Sequence, residues 1–361
     1  MLLDIIAGAR PNFMKIAPII KTINSSNSIN KKISFRLIHT GQHYDKNMSE
    51  SFLKQLEIPN PDYNLASGSG TQSEQTAKIM IGYEKLLQIN KPDICLVVGD
   101  VNSTMACAIV AKKMHVKVAH VEAGIRSGDV SMPEEINRMV TDSITDFFFT
   151  TSETANNNLI LSGVNPKFIF FVGNTMIDTL VSNMPRFIKP PVWSKYNLNE
   201  KSYIVVTLHR PSNVDDQSIL NELIESIVSN SRGIPIIFPA HPRTIKQLSH
   251  VKLNYSNLII INPLSYLEFN FLVKNSKAVV TDSGGITEET TFMGIPCMTM
   301  RSNTERPETV DIGTNELLGK NPSNLKPAFD KLFSGNWKKG GIPKYWDGLA
   351  AKRIVEKLIE L

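Results

Sequence analysis

Residues 120–138 read HVEAGIRSGDVSMPEEINR, and Glu122, Arg126, Asp129, Glu134, Glu135 and Arg138 all fall within them. The run KVAHVEAG (117–124) is apolar and β-type, with Glu122 at its C-terminal end, where open parallel sheets present ligand-facing residues. An acid so placed is a candidate for chemistry rather than part of a solvated face. Asp100 ends a second apolar run in VVGDVNST (97–104), and Glu134 follows Pro133 at the start of a helical segment. The three acids lie 22 and 12 residues apart, a spacing that fits successive strand–helix units. Carboxylates converging on one cleft raise each other's pKa, which keeps a proton acceptor and a proton donor available together near neutral pH. Each acid alone has a structural reading, Asp100 as an N-cap and Glu134 as a helix-start residue. Three in succession point to acid/base work.

Other strand ends offer groups for an anion. TDSGGITEE (281–289) ends a buried strand in Ser283-Gly284-Gly285 and opens a helix, so its backbone can approach a ligand closely and its N–H groups suit a phosphate. Glu289 there either accepts ribose hydroxyls or complements the helix dipole. GARPNFMK (8–15) brings Arg10 and Lys15 to a strand-to-helix turn, where two cations could neutralise a diphosphate; for Lys15 alone a solvated helix position is the simpler reading. His209 and His241 end strands in VVTLHRPSN and FPAHPRT, each with an arginine behind it, Arg210 and Arg243. A His-Arg pair facing the Ser-Gly-Gly turn could hold a departing diphosphate, and function is favoured for His209. TGQHYD (40–45) adds Gln42 and His43, a hydrogen-bonding pair without an evident nucleophile. MRSNTERPETVDIGTN (300–315) reads as a polar loop over a nucleotide or a surface turn. There is no G-x-G-x-x-G fingerprint and no P-loop, and the three cysteines, Cys95, Cys107 and Cys297, lack metal-type spacing. Neither a metal nor a nicotinamide cofactor is expected.

Setting these residues at strand ends requires a scaffold that repeats strand and helix. Apolar, non-alternating runs such as LLDIIA, ISFRLIHTG, DICLVVGD and FFFTTS alternate with helical ones, and a second such series begins with SYIVVTLH after residue 200. The pattern predicts an α/β protein of two Rossmann-like, doubly wound domains with a cleft between their strand ends. The Pro-rich stretch PRFIKPPVWSKYNLNEK (185–201) marks the boundary, giving domains 1–184 and 185–347, with an amphipathic helix at 348–361 that could pack back on the first. The 361 residues carry a net charge of +5, but the basic residues are dispersed without interleaved aromatics, so a small anion explains the balance better than nucleic acid. No apolar run approaches the roughly 18 residues of a membrane span, and MLLDIIAGARP reads as a buried strand, not a signal peptide. A cytoplasmic protein is expected.

Taken in order, GARPNFMKIAPI, HTGQHYD, VVGDVNST, HVEAGIRSGD, MPEEINR, VGNTMIDTL, LHRPSN, TDSGGITEE and TERPETVDIGT resemble the non-hydrolysing UDP-N-acetylglucosamine 2-epimerases over nearly the whole chain. The resemblance implies the two-domain arrangement of B-type glycosyltransferases. It also implies interconversion of UDP-N-acetylglucosamine and UDP-N-acetylmannosamine through elimination of UDP to 2-acetamidoglucal, without metal or nicotinamide. By motif position Asp100, Glu122 and Glu134 match the catalytic carboxylates, and His209 matches a histidine at the diphosphate. Arg10, Ser283, Gly284, Gly285 and Glu289 match UDP contacts, while Lys15 and Arg138 match site-lining cations and Arg306 lies in the TERPE segment. Gln42, His43, Arg210 and His241 look similar to part of a second UDP-N-acetylglucosamine site of some bacterial members. Pro211-Ser212 depart there from the usual Arg-Glu or Ala-Glu. A homodimer acting on a UDP-sugar is expected. The alternatives are a related UDP-sugar, UDP-2,3-diacetamido-glucuronate or a UDP-N-acetyl-6-deoxyhexose, or a B-type UDP-sugar glycosyltransferase.

Overall fold

The computed structural model describes residues 1–27, 32–41, 53–240, 242–248 and 255–361. Two parallel sheets organise it, seven strands in one and six in the other among the described residues. The first runs β3-β2-β1-β4-β5-β6-β7, with β1 Leu2–Ala7, β2 Ser34–His39, β3 Tyr63–Asn64, β4 Ile94–Val98, β5 Lys117–Val121, β6 Phe147–Thr150 and β7 Ile169–Phe171. The second runs β10-β9-β8-β11-β12-β13, with β8 Ile204–Thr207, β9 Ile236–Pro239, β10 Leu258–Ile261, β11 Ala278–Thr281, β12 Cys297–Thr299 and β13 Asn315–Leu317. The order reverses beside β1 in one sheet and beside β8 in the other. Ligands of doubly wound folds bind outside the carboxyl ends of the strands at such reversals.

Strands buried on both faces need apolar residues at consecutive positions. In β4, ICLVV is buried throughout. In β8, Ile204 and Val206 join one apolar cluster with Leu220, Leu223 and Phe329, while Val205 joins another with Leu272 and Ile295. Successive side chains therefore feed cores on opposite faces, and each fully buried Ile or Leu contributes about 1.5–3 kcal/mol. The helices that matter for the site follow strands of the first sheet: α1 Arg10–Asn27, α2 Gln72–Ile89, α3 Asn102–Lys113, α4 Pro133–Ile144 and α5 Glu153–Leu161. In the second, the helix after β11 is α6, Gly284–Met293.

The chain divides into two compact units, Met1–Ser182 with Lys344–Leu361, and Asn183–Pro343. The last helix, α7 (Ala350–Glu360), belongs to the first unit, where Asp178 caps it by accepting from the Ala350 and Ala351 amides at 3.1 and 2.7 Å. Two short strands were not anticipated: β3, and β13 at the end of the segment read as a loop, which also holds a helical turn at Pro307–Asp311. Each has only two or three residues, too few for a period to show.

Candidate active site

In the first unit the parallel register sets β4 and β5 level, with Val98 beside Val121, and the Gly99 amide donates to the Val121 carbonyl at 3.0 Å. The next residues on the two strands are the acids' own turns. Glu122 has φ of +69°, left-handed backbone that costs a non-glycine residue on the order of 1–3 kcal/mol. Two amides tie it down: those of Glu122 and Ala123 both donate to the Phe149 carbonyl, at 2.9 and 3.2 Å. The carboxylate is buried and meets Lys15 Nζ of α1 at 2.5 Å. Gly99, at φ +69°, lets the lysine in, since a Cβ there would lie 2.9 Å from Nζ. Lys15 is thus a buried partner of an acid, and the solvated reading of it is set aside. Arg10 is exposed as the first residue of α1.

Asp100 is paired in the same manner. Arg138, buried on α4, donates from Nη1 to Asp100 Oδ2 at 2.6 Å and from Nε to Glu135 Oε2 at 2.8 Å. Asn137 Nδ2 donates to the Asp100 carbonyl at 2.8 Å, and Asn102 donates in turn to Gln72 and Gln75 of α2. Glu134 is exposed in the first turn of α4. Its neighbour Glu135 points inward and accepts the Ser127 and Gly128 amides at 3.0 and 3.1 Å. Burial raises the Glu135 carboxyl, but those amides and Arg138 outweigh it and hold it below the ordinary value. The expectation that the acids face one another thus takes a different form: Glu122 and Asp100 each face a cation.

In the second unit, the buried Asp282 gathers the turn that follows β8. It accepts the His209 amide at 3.1 Å, the Arg210 amide at 2.9 Å and Asn213 Nδ2 at 3.0 Å, and its Oδ1 lies 2.8 Å from His209 Nδ1. Burial raises this carboxyl, yet His209 and the other donors bring it below the ordinary value. The imidazole of His209 is 57% exposed, so it stays open to a ligand. Ser283 is the N-cap of α6 without a side-chain cap bond, and the glycines Gly284 and Gly285 form its half-buried first turn. The space there is ample: a Cβ on Gly284 would come no nearer than 3.7 Å to Arg301. Further along α6, Glu288 accepts from Arg306 Nε at 2.5 Å. Glu289 is buried, and burial, aided by Glu288, pushes its carboxyl up to about 7. Arg301 donates to both oxygens of Glu305, at 2.9 and 2.7 Å, and that carboxyl, raised by burial, is lowered by the arginine to about 2.

The structure therefore joins Lys15 to Glu122, Asp100 to Arg138, His209 to Asp282 and Arg306 to Glu288. Gln42, His43 and His241 lie outside the described residues. Sequence reasoning missed Glu135, although its separation from Arg138 is a helical i,i+3 pair. It also gave Asp282 no role of its own. Among the described residues no group of three or more His, Cys, Asp or Glu could hold a metal ion, and no helix is long and apolar enough to cross a membrane.

The sequence profile of the UDP-N-acetylglucosamine 2-epimerase family matches residues 27–359. The UDP-N-acetylglucosamine 2-epimerase of Methanocaldococcus jannaschii is 42% identical, with 99% of both chains covered. A UDP-2,3-diacetamido-2,3-dideoxy-D-glucuronate 2-epimerase of Pseudomonas aeruginosa is 37% identical, again with 99% of both covered. The crystal structure of the Methanocaldococcus jannaschii enzyme in complex with UDP-GlcNAc and UDP superimposes with a TM-score of 0.88 at 42% identity, covering 100% of each chain. A lipopolysaccharide outer core galactosyltransferase, 15% identical with a TM-score of 0.59 and coverage of 100% and 99%, shares the fold alone.

Proposed function

The chain belongs to the UDP-N-acetylglucosamine 2-epimerase family, and from that premise we propose that it interconverts UDP-N-acetylglucosamine and UDP-N-acetylmannosamine without hydrolysis. UDP leaves with the C2 proton to give 2-acetamidoglucal, the proton returns to the other face of C2, and UDP adds back. Inverting C2 asks a protein for two things: groups that move a poorly acidic proton, and donors for the charge that grows on the departing diphosphate.

The observation that carries this reading is the pair of strand-end acids, Glu122 against Lys15 and Asp100 against Arg138. The ammonium 2.5 Å from the buried Glu122 carboxylate favours its ionised form, the form a base needs to take the C2 proton. Glu134, exposed at the start of α4, supplies a third acid within the same unit. His209 and the amides of Ser283, Gly284 and Gly285 suit the diphosphate, because donors fixed in advance stabilise developing charge without reorganising. Lys15, Arg138 and Arg306 already hold carboxylates, so their part is to orient acids as well as to line a site. Arg10, exposed at the start of α1, is a further cation proposed to meet the ligand.

The test is proton NMR of the purified protein with UDP-N-acetylglucosamine in D2O. Deuterium at C2 together with the manno epimer is the expected result, undiminished by a chelator and without added NAD. Free UDP and sugar as the only products would refute the non-hydrolysing reaction. The relative acting on UDP-2,3-diacetamido-2,3-dideoxy-D-glucuronate makes that sugar the second one to try. A homodimer in the cytoplasm is the assembly we propose, which sedimentation of the purified protein checks.

A further inference from the structure

Beneath the acids of the first unit lies an imidazole that the proposed reaction does not use. His120, on β5 two residues before Glu122, is fully buried. Its Nε2 lies 2.8 Å from the carbonyl oxygen of Gly99, and its Nδ1 lies 2.8 Å from Oδ1 of Asp142. A carbonyl only accepts, so Nε2 carries a hydrogen, and Nδ1 and Oδ1 share a proton between them. Asp142 Oδ2 accepts two more bonds, from the Gly124 amide at 3.1 Å and from Arg126 Nη1 at 2.6 Å.

These bonds end beside the acids. Gly99 immediately precedes Asp100, Gly124 comes two residues after Glu122, and Asp142 sits about two turns along α4 from Glu134. One imidazole and one carboxylate therefore join the three segments that carry the three acids. Gly124 is itself held tightly: a Cβ there would fall 2.3 Å from the Ala155 carbonyl of α5, so this turn cannot relax outward by substituting another residue.

We infer that His120, acting through Asp142, is a positioning residue: it sets the spacing of the Asp100, Glu122 and Glu134 segments so that their acids meet the sugar in register. The inference rests on the proposed epimerase reading. Two substitutions each cut one half of the clamp. In His120→Asn the amide nitrogen falls where Nδ1 sits, keeping Asp142 and losing Gly99; in His120→Gln the amide reaches Gly99 and gives up Asp142. Asp142→Asn removes a charge but no hydrogen bond, since its amide donates to Nδ1 while its oxygen still accepts from Gly124 and Arg126.

With UDP-N-acetylglucosamine, both His120 variants should lose about 10²-fold in kcat, the effect of a displacement near 1 Å, with KM and calorimetric UDP affinity unchanged. Asp142→Asn should stay within about fivefold of wild type, because it preserves every bond of the clamp. Full kcat in both His120 variants overturns the inference, and so does a 10²-fold loss in Asp142→Asn at unchanged Tm, which would make charge rather than position the requirement. A readout independent of turnover separates this from failure of the epimerase reading. Amide exchange over residues 98–104 and 122–126 should quicken about tenfold in the His120 variants but not in Asp142→Asn. Unaltered exchange in the His120 variants overturns the clamp whatever the substrate. If neither His120 variant folds, Asp142→Asn decides alone, by the same kcat and Tm criterion.

Discussion

The two units place carboxylates at their strand ends in opposite ways. In the first, the acids stand at the strand ends: Glu122 and Asp100 carry their charge at the turns after β5 and β4, each against a cation from a neighbouring helix. In the second, Asp282 is turned inward and spent on the backbone, accepting the His209 and Arg210 amides and Asn213, and what remains outward is an imidazole and the open N-terminus of α6. The same fold thus yields an edge of paired acids in one case and a donor-rich edge in the other. The difference lies in a few turn residues, not in the sheets. Asp282 has its oxygens taken up by N–H donors, whereas Glu122 and Asp100 are each matched to a buried cation that favours the ionised form a base requires.

The largest expected effect strikes the first edge. Asp100→Asn, Glu122→Gln and Glu134→Gln should each lower turnover by about 10²–10⁴-fold, the usual contribution of a positioned acid or base, while calorimetric UDP affinity stays close to wild type. Weakened UDP binding in these variants, with turnover intact at saturation, would erase the contrast between the edges. A smaller effect is expected at the second edge: His209→Asn should cost roughly 10²–10³-fold in turnover, the loss from one preorganised donor. Because that donor serves C–O cleavage, C2 deuterium exchange and epimerisation should fall together, with no free glucal accumulating. Release of glucal from His209→Asn, but not from a carboxylate variant, would exchange the two roles.

Much of this was legible in the sequence because strand-end residues are announced by what precedes them. An apolar run such as ICLVV or KVAHV marks a buried strand, so the sequence alone places Asp100 and Glu122 at β-strand termini. What could not be read was direction. Glu134 and Glu135 are adjacent and chemically identical, yet one is exposed and the other is buried on Arg138 and two amides. A helix advances about 100° per residue, so neighbours must face apart, but only packing decides which one turns inward. The burial of Lys15 was hidden for a related reason: it depends on Gly99, 84 positions away, leaving room for its ammonium. His120 carried no signal at all, since a histidine inside an apolar strand looks like filler until Gly99 and Asp142 appear at its two nitrogens.

The smallest prediction tests the two edges through protons bound at rest. Glu289, on α6, has its carboxyl raised by burial to about 7 from an ordinary 4.5, so between those values the folded protein holds a proton that the unfolded chain releases. Stability from that group is fully present below pH 4.5 and is lost as pH rises through about 7. Glu135, on α4, is shifted the other way: burial alone would raise it, but the Ser127 amide, Arg138 and the Gly128 amide lower it, so its contribution is present above 4.5 and is lost as pH falls. Glu289→Gln should then raise Tm relative to wild type at pH 8 by about 3–6 °C, with the gain vanishing near pH 4.5. Glu135→Gln should lower Tm at pH 7 by more than it does at pH 4, because the amide cannot hold Arg138 as the carboxylate does. Differential scanning fluorimetry of the two variants across pH reads both signs at once. Parallel pH curves would mean that the acid of α6 is held ionised as well as that of α4, and the contrast between an acid whose donors outweigh burial and one whose burial outweighs Tyr266 and Asn270 would be gone.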